Sequence, residues 1–156
     1  MAGRIETKLA ELGITLPLPM APIANYVPYV VSSNLVVISG QLPAIDGKVA
    51  ITGKVSWGVS VDQGREAARL CFINLLVHLK AACSGDLDRV RRVVRLGGFI
   101  AAPSDFRDHA LIMNGASDLA VSVFGEAGRH ARTTIGVPSL PADAAVEVEG
   151  LFQIDY

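Results

Sequence analysis

The sequence predicts an α+β fold in which two long helices pack on one face of a single β-sheet. Two segments with helical spacing of apolar residues, at about 61–83 and 105–124, alternate with segments rich in β-branched residues. The order is strand, strand, helix, strand, helix, strand, strand, which is typical of helices collected on one side of a sheet. A chain of 156 residues is long enough for one hydrophobic core. We therefore expect a single domain over residues 1–156.

A short helix is indicated at the N-terminus. Ile5, Leu9 and Leu12 recur at helical spacing, and Gly13 is placed to end the helix. A proline-rich connector follows, so residues 1–24 are expected to form an N-terminal helix and its connector.

Two strands should follow the connector, at about residues 25–31 and 35–39. Both segments are apolar at nearly every position, which predicts burial on both faces of the sheet. A loop containing Asp46-Gly47 leads to a short extended piece at about 49–54.

The two long helices enclose a third core strand. The first helix, at about 61–83, has Asp62 near its start and ends at Ser84-Gly85. The strand is expected at about 93–101. Ser104 is placed to cap the second helix, which runs from about 105 to 124.

The last quarter of the chain predicts two paired β-strands joined by a turn at Pro138-Ser139-Leu140-Pro141. Period-two alternation puts Arg132 on one face of the first of these strands, and Glu147 on one face of the second. The opposite face of the second strand is apolar and should meet the helices, with Arg132 and Glu147 facing away. Its residues are Val146, Val148, Phe152 and Ile154.

Arg132 and Glu147 are the candidate functional pair. A guanidinium suits a substrate carboxylate, and a nearby carboxylate can orient or deprotonate a water molecule. The positive charge of Arg132 would lower the pKa of Glu147 and keep it ionised. The alternative is a surface ion pair across two strands.

Composition excludes several classes of protein. The residues are 51% hydrophobic, yet no apolar run reaches the length of a membrane span, so the surplus apolar surface is assigned to a subunit interface. A net charge of −1 provides no general attraction for nucleic acid. The two cysteines and three histidines show no metal-ligand spacing, which predicts no metal site. Residues 1–13 lack the apolar core of a secretion signal, so a cytoplasmic location is expected.

Three blocks of sequence, with one further residue, carry a family resemblance. The C-terminal block Ala131-Arg132, Val137, Leu140-Pro141, Val146-Glu147 and Glu149 resembles the closing signature of the reactive intermediate deaminase family, also called YjgF-like or endoribonuclease L-PSP. Pro28-Tyr29 and Ser39-Gly40-Gln41 match earlier blocks in the same order, and Asn114 matches a position in the second long helix. The resemblance runs from about Pro28 onward, so the N-terminal helix marks a longer subgroup.

The resemblance implies a chorismate-mutase-like fold, a homotrimer and active sites in the clefts between subunits. Arg132 would hold the substrate carboxylate and Glu147 would activate water. Four other residues would bind substrate, namely Tyr29, Ser39, Gly40 and Asn114. Packing of Tyr29 in the core, an ordinary strand-end role for Gly40 and a solvent-facing Asn114 are the structural alternatives.

The function implied is hydrolysis of reactive enamine or imine acids, of the 2-iminopropanoate and 2-iminobutanoate type, to 2-oxo acids and ammonia. No cofactor is expected, because the imine is already electrophilic and positioning supplies most of the rate gain. A non-catalytic protein that binds small carboxylates is the alternative. Endoribonuclease activity is disfavoured by the near-neutral charge.

Three positions bear on the shape of the substrate. His130 and Thr134 stand where short family members carry proline and cysteine, beside Arg132. His130 would be an exposed strand histidine or an additional titratable donor. Trp57 would form a wall of the pocket or fill an edge of the core.

Overall fold

The computed structural model describes residues 1–156, which form three α-helices and nine β-strands, four of them only two residues long. In chain order they are α1 (Arg4–Glu11), β1 (Tyr29–Ser32), β2 (Leu35–Gln41), β3 (Ala44–Ile45), β4 (Lys48–Val49), β5 (Lys54–Val55), β6 (Gly58–Val59), α2 (Val61–Ala82), β7 (Val90–Ala101), α3 (His109–Phe124), β8 (Ala131–Val137) and β9 (Val146–Ile154).

The main sheet has five strands in the order β1-β2-β9-β7-β8. All neighbouring strands are antiparallel except β7 and β8, which are parallel. The short strands form two separate pairs, β3 with β4 and β5 with β6. The expected order of the long elements is confirmed, and the two short pairs lie in the region predicted as a loop and an extended piece.

The predicted pairing of the last two strands is wrong, because β7 lies between β8 and β9. The segment β7-α3-β8 is a strand-helix-strand crossover, and such a crossover returns the chain parallel to the strand it left. β8 therefore pairs with β7 at the edge of the sheet. The turn after Val137 then carries the chain past β7, and β9 enters between β7 and β2.

One face of the sheet carries the hydrophobic core. The inward residues of β9, namely Val146, Val148, Phe152 and Ile154, are all at most 5% exposed, which confirms the predicted alternation. They belong to a cluster of 34 buried residues to which α2 and α3 contribute most of the helical members. Both cysteines, Cys71 and Cys83, are buried and unpaired.

Helix α1 is attached to this layer through its first turn. The backbone amides of Arg4 and Ile5 each donate a hydrogen bond of 2.8 Å to the carboxylate of Asp88. These bonds satisfy two amides that have no partner within the helix, and they lower the pKa of Asp88. Ile5 and Leu9 pack into the core, so the predicted N-terminal helix is confirmed.

Several boundaries differ from the sequence prediction. β1 begins at Tyr29 rather than at residue 25, and residues 25–28 form bends and loop. α3 begins at His109 rather than at residue 105, and Ser104 does not cap it. α2 is capped by Ser60, whose hydroxyl accepts from the Gln63 amide while the Gln63 side chain accepts from the Ser60 amide. Such reciprocal caps stabilise the first turn of a helix.

The second face of the sheet is open. Val30, Leu35, Val37 and Ile135 are exposed on it, so the expected burial of β1 and β2 on both faces is not found within one chain. An ion pair of 3.4 Å between Arg95 and Glu149 crosses its centre.

Candidate functional site

The candidate site residues form two groups on opposite faces of the sheet. Leu96 pairs with Arg132 on one side and with Gly150 on the other, so these three residues share the helix-covered face. Glu147 is three residues from Gly150, and an odd offset along a strand places it on the open face. The prediction that Arg132 and Glu147 both face away from the helices is therefore wrong for Arg132.

Arg132 is held against α3 by neutral acceptors. Its Nη1 donates to Asn114 Oδ1 at 2.8 Å and to Ser117 Oγ at 3.1 Å, and its Nη2 is 3.4 Å from the carbonyl oxygen of Ala110. No carboxylate pairs with it, so the predicted alternative of an ion pair with Glu147 is also wrong. The guanidinium is oriented but its charge is not neutralised, which suits it to bind an anion.

A chain of hydrogen bonds extends from Arg132 to the backbone. His130 Nδ1 lies 2.6 Å from the carbonyl oxygen of Gly128 and must donate to it, so Nε2 of the neutral ring is an acceptor. Ser117 Oγ lies 2.8 Å from Nε2 and donates to it when the ring is neutral, while the serine oxygen accepts from Arg132. We call Asn114, Ser117, His130 and Arg132 the arginine cluster. These residues line a surface cavity of about 280 Å³.

The structure corrects the expectation of an exposed His130, because this side chain is half-buried and both ring nitrogens are hydrogen-bonded. Thr134 lies two residues beyond Arg132 on the same face, and its hydroxyl is buried without a hydrogen-bond partner. Unsatisfied polar groups of this kind are uncommon in folded proteins and need an explanation. Here the unused hydroxyl lies beside the candidate anion site.

We expect Ser117→Ala to weaken the binding of small 2-oxo acids such as pyruvate by about fivefold, because Arg132 loses one of its acceptors. Ser117→Thr keeps the hydroxyl and should restore most of the affinity. Titration calorimetry measures both, with Ser122→Ala as a control on the exposed side of α3. Equal affinity in Ser117→Ala and the wild type would show that the serine does not orient Arg132.

Glu147 is half-buried on β9, next to the end of β2. Burial raises the pKa of its carboxyl group above the ordinary value, and the negative charge of Glu149 raises this pKa further. The expectation that Arg132 lowers the pKa of Glu147 is wrong within one chain, because one strand separates β8 from β9 and the two side chains lie on opposite faces. A carboxylate with a raised pKa is a better proton acceptor than an ordinary one.

Gly40 lies directly against this carboxylate. It falls in an irregularity of the pairing between β2 and β9, which lies between Ile38 and Gln41. A Cβ atom built on Gly40 would overlap Oε1 of Glu147. The absence of a side chain therefore leaves room for the carboxylate, and a larger residue at position 40 would displace Glu147 from its present position.

Ser39 and Tyr29, the two other predicted binding residues, have different surroundings. The Ser39 hydroxyl donates to the carbonyl oxygen of Val27 at 2.8 Å, which ties β2 to the chain before β1. The Tyr29 ring packs against the core, with its centroid 6.4 Å from that of His78. Neither contacts the arginine cluster. Trp57 is 66% exposed beside Lys54, so it does not fill the core edge. It lines neither the cavity at the arginine cluster nor a second cavity over Glu147 and Gly40.

A cavity of about 190 Å³ lies over Glu147 and Gly40. One wall comes from the segment between α1 and β1, the whole of which we call the connector from here on, and which contributes Met20, Ile23 and Tyr26. Another wall is the end of β2. We call this space the connector cavity. Sequence reasoning missed the connector residues, because they belong to no regular element.

No group of three or more His, Cys, Asp or Glu side chains is arranged to hold a metal ion. None of the three helices is long and apolar enough to cross a lipid bilayer.

Comparison with known proteins identifies the family. A family model described as "YjgF/chorismate mutase-like, putative endoribonuclease" matches residues 6–153. The protein TCP17 of Trypanosoma cruzi is 45% identical over 155 residues, which cover 99% of this chain and 96% of that protein. A 2-iminobutanoate/2-iminopropanoate deaminase of Dermatophagoides farinae is 30% identical over 142 residues, or 91% and 95% of the two chains.

A solved structure supports the same assignment. The crystal structure of Atu1372 from Agrobacterium tumefaciens, described as a protein of unknown function, superposes with a TM-score of 0.91 at 48% identity. The match covers 97% of this chain and 92% of that one. The chain therefore belongs to the YjgF-like, or reactive intermediate deaminase, family and has its chorismate-mutase-like α+β fold.

Proposed function

We propose that the protein hydrolyses reactive 2-imino acids to 2-oxo acids and ammonia. The observation that carries this proposal is the oriented but unneutralised guanidinium of Arg132, held by three neutral acceptors at 2.8–3.4 Å. A planar carboxylate can accept two parallel hydrogen bonds from such a group. The name of the Dermatophagoides farinae relative, a 2-iminobutanoate/2-iminopropanoate deaminase, supports an imino acid as the ligand that carries this carboxylate.

Glu147 supplies the base in this proposal. It removes a proton from water as the water oxygen bonds to C2 of the imine, and the C=N electron pair moves to nitrogen. The protonated carboxyl group then returns its proton to that nitrogen, which gives a neutral intermediate with an amino group and a hydroxyl group on C2. The hydroxyl proton then moves to the amino nitrogen as the C–N bond breaks, so ammonia leaves and the 2-oxo acid forms. The raised pKa of Glu147 suits both transfers.

In our proposal, each site takes Arg132 from one subunit of a homotrimer and Glu147 from the next subunit. Within one chain, Arg132 and Glu147 face opposite sides of the sheet, so one substrate cannot reach both. The exposed apolar residues of the open face, Val30, Leu35, Val37 and Ile135, favour a second copy as its partner. Cyclic closure would bury this face and bring the arginine cluster of one subunit to Glu147 of the next.

Assembly is tested by sedimentation. We expect a trimer that persists at micromolar concentration, since an obligate interface buries well over about 1,000 Å². Val37→Glu places a charge on the open face and should produce monomers without imine hydrolysis, whereas Leu12→Glu, just after the end of α1, should remain trimeric. A wild-type monomer at micromolar concentration would contradict the assembly.

Shared sites predict complementation between two inactive variants. In trimers assembled at random from equal amounts of Arg132→Ala and Glu147→Gln subunits, about a quarter of the sites should contain both wild-type residues. The mixture should therefore regain about a quarter of the wild-type rate after the subunits exchange. No recovery in trimers shown to be mixed would contradict a site between subunits.

The activity itself is tested with 2-iminopropanoate and 2-iminobutanoate generated freshly from the amino acids by an amino-acid oxidase. The proposal expects the protein to accelerate the loss of both imines over buffer. A wild-type protein that binds pyruvate without accelerating imine loss would instead be a small-carboxylate-binding protein. The arginine cluster alone would support that second function.

A further inference from the structure

The connector cavity lies beside Glu147. We propose that it holds the substrate side chain and that it favours 2-imino acids with branched or aromatic apolar side chains over 2-iminopropanoate. This inference rests on the proposed function, because it assumes that the reacting carbon lies next to Glu147. Its experiment is chosen so that the two proposals can fail separately.

The walls of the cavity are mainly apolar. Met20, Ile23 and Tyr26 line it from the connector, and Leu42 and Pro141 are among the other apolar residues. Gln41 and His78 are its uncharged polar side chains. Ile23 and Tyr26 remain 63% and 48% exposed, so their apolar surface has not been used by the core. A substrate side chain in this cavity would remove that surface from water, which is favourable.

His78 lines the cavity without adding charge. The side chain comes from α2, is 5% exposed and lines the space together with Glu147. Burial lowers the pKa of this imidazole, so the ring is neutral at pH 7. Glu147 is the only charged side chain in the lining, and its carboxylate is needed for the chemistry. The rest of the cavity therefore has nothing to attract a charged substituent.

The size of the cavity limits the ligand. About 190 Å³ is several times the ~30 Å³ that one water molecule occupies in the liquid, and it is smaller than the ~300–1,000 Å³ of sites for drug-sized ligands. It suits the side chain of an amino-acid-sized molecule rather than a nucleotide. Each buried methylene should raise kcat/KM by about fourfold.

The test compares imines made from leucine and from alanine. Their side chains differ by three carbon atoms, so the ratio of kcat/KM values should reach up to about 60-fold in favour of the leucine imine. Ile23→Ser and Ala24→Leu should each lower this ratio at least threefold, the first by removing apolar surface and the second by filling space. Leu18→Ser alters the same connector away from the cavity and should keep the wild-type ratio.

Binding gives an independent measure. Calorimetry should show that 4-methyl-2-oxopentanoate binds more tightly than pyruvate, with the difference reduced in Ile23→Ser. Turnover of both imines with no preference, or a ratio unchanged in both cavity variants, would overturn the subsite and leave the proposed function intact. If no imine is hydrolysed, the proposed function fails, and the affinities of the two 2-oxo acids still decide whether the cavity recognises an apolar side chain.

Discussion

Arg132→Ala is expected to weaken the binding of small 2-oxo acids by roughly 30- to 1,000-fold, equivalent to about 2–4 kcal/mol. The hydrogen-bond partners of the guanidinium are the side chains of Asn114 and Ser117 and the backbone carbonyl of Ala110, all of them neutral, so none of these partners can replace its charge toward a carboxylate. Calorimetry with pyruvate measures the affinity, and kcat/KM for 2-iminopropanoate should fall in parallel.

Arg132→Lys tests the geometry of the contact rather than its charge. One ammonium group cannot form two parallel hydrogen bonds, so this variant should be nearly as defective as Arg132→Ala. Arg92→Ala is the matched control, since Arg92 is an exposed arginine on the neighbouring strand β7. Thermal unfolding verifies that each variant is folded. If a folded Arg132→Ala variant turned over imines at the wild-type rate, Arg132 would have no role in the site.

Glu147→Gln should lower imine hydrolysis by roughly 10²-fold or more while 2-oxo acids still bind. The amide has nearly the same shape as the carboxyl group but cannot accept a proton from water. Single-turnover rates measure the chemistry and calorimetry measures the binding. Glu66→Gln is the control, because Glu66 is an exposed carboxylate on α2 and is paired with Arg69. Unchanged hydrolysis in Glu147→Gln would assign the base to another group.

The pH dependence follows from the raised pKa of Glu147. The base acts only when ionised, so kcat should fall as the pH drops through this pKa, at a midpoint above the ordinary 4.5. Removing the Glu149 charge should lower the pKa of Glu147 and move this acid limb to lower pH. Rates are corrected for uncatalysed hydrolysis at each pH. An acid limb unaffected by both Glu147→Gln and Glu149→Gln would contradict the assignment.

The same shift affects stability. The pKa of Glu147 is higher in the folded chain than in the unfolded chain, so the folded state binds more protons between the two values. Stability therefore falls as pH rises through this window. Glu147→Gln removes the ionisation and should raise the unfolding temperature at pH 7 but not near pH 4, where the wild-type group is protonated in both states. In Glu147→Gln, the higher unfolding temperature would therefore accompany a loss of activity.

Local patterns in the sequence were sufficient to predict which residues of β9 face the core. Val146, Val148, Phe152 and Ile154 alternate with residues that are polar except for Leu151, and alternation over nine residues depends only on the strand period. The helices were predicted for the same reason, since their caps and apolar faces are encoded within each segment. The start of α3 was misplaced because Ser104 has the residue type of a cap but not its position.

The neighbour of β8 could not be read from its own sequence. Strand pairing is decided by the path of the whole chain, and the crossover through α3 puts β8 on the far side of β7. This difference in strand order separates Arg132 from Glu147, so the pKa of Glu147 is raised by burial rather than lowered by Arg132.

The partners of Arg132 were only partly predictable. Asn114 was identified through the family resemblance, and the structure brings it within 2.8 Å of the guanidinium. Ala110 and Ser117 lie four residues before it and three residues after it, on the same face of a helix. That spacing was a signal for Ser117 which the sequence reasoning did not use.

The attachment of α1 to Asp88 has a consequence for how specificity can evolve. Because α1 is anchored at one end and β1 at the other, the connector is a closed loop whose two ends do not move apart, and its ordering costs less entropy than that of a free tail. Residues 20–26 make no hydrogen bonds in the sheet, so they can change without disturbing strand pairing. If the proposed subsite is correct, substitutions in this loop would therefore change the substrate preference of this chain while its five-stranded sheet stays the same.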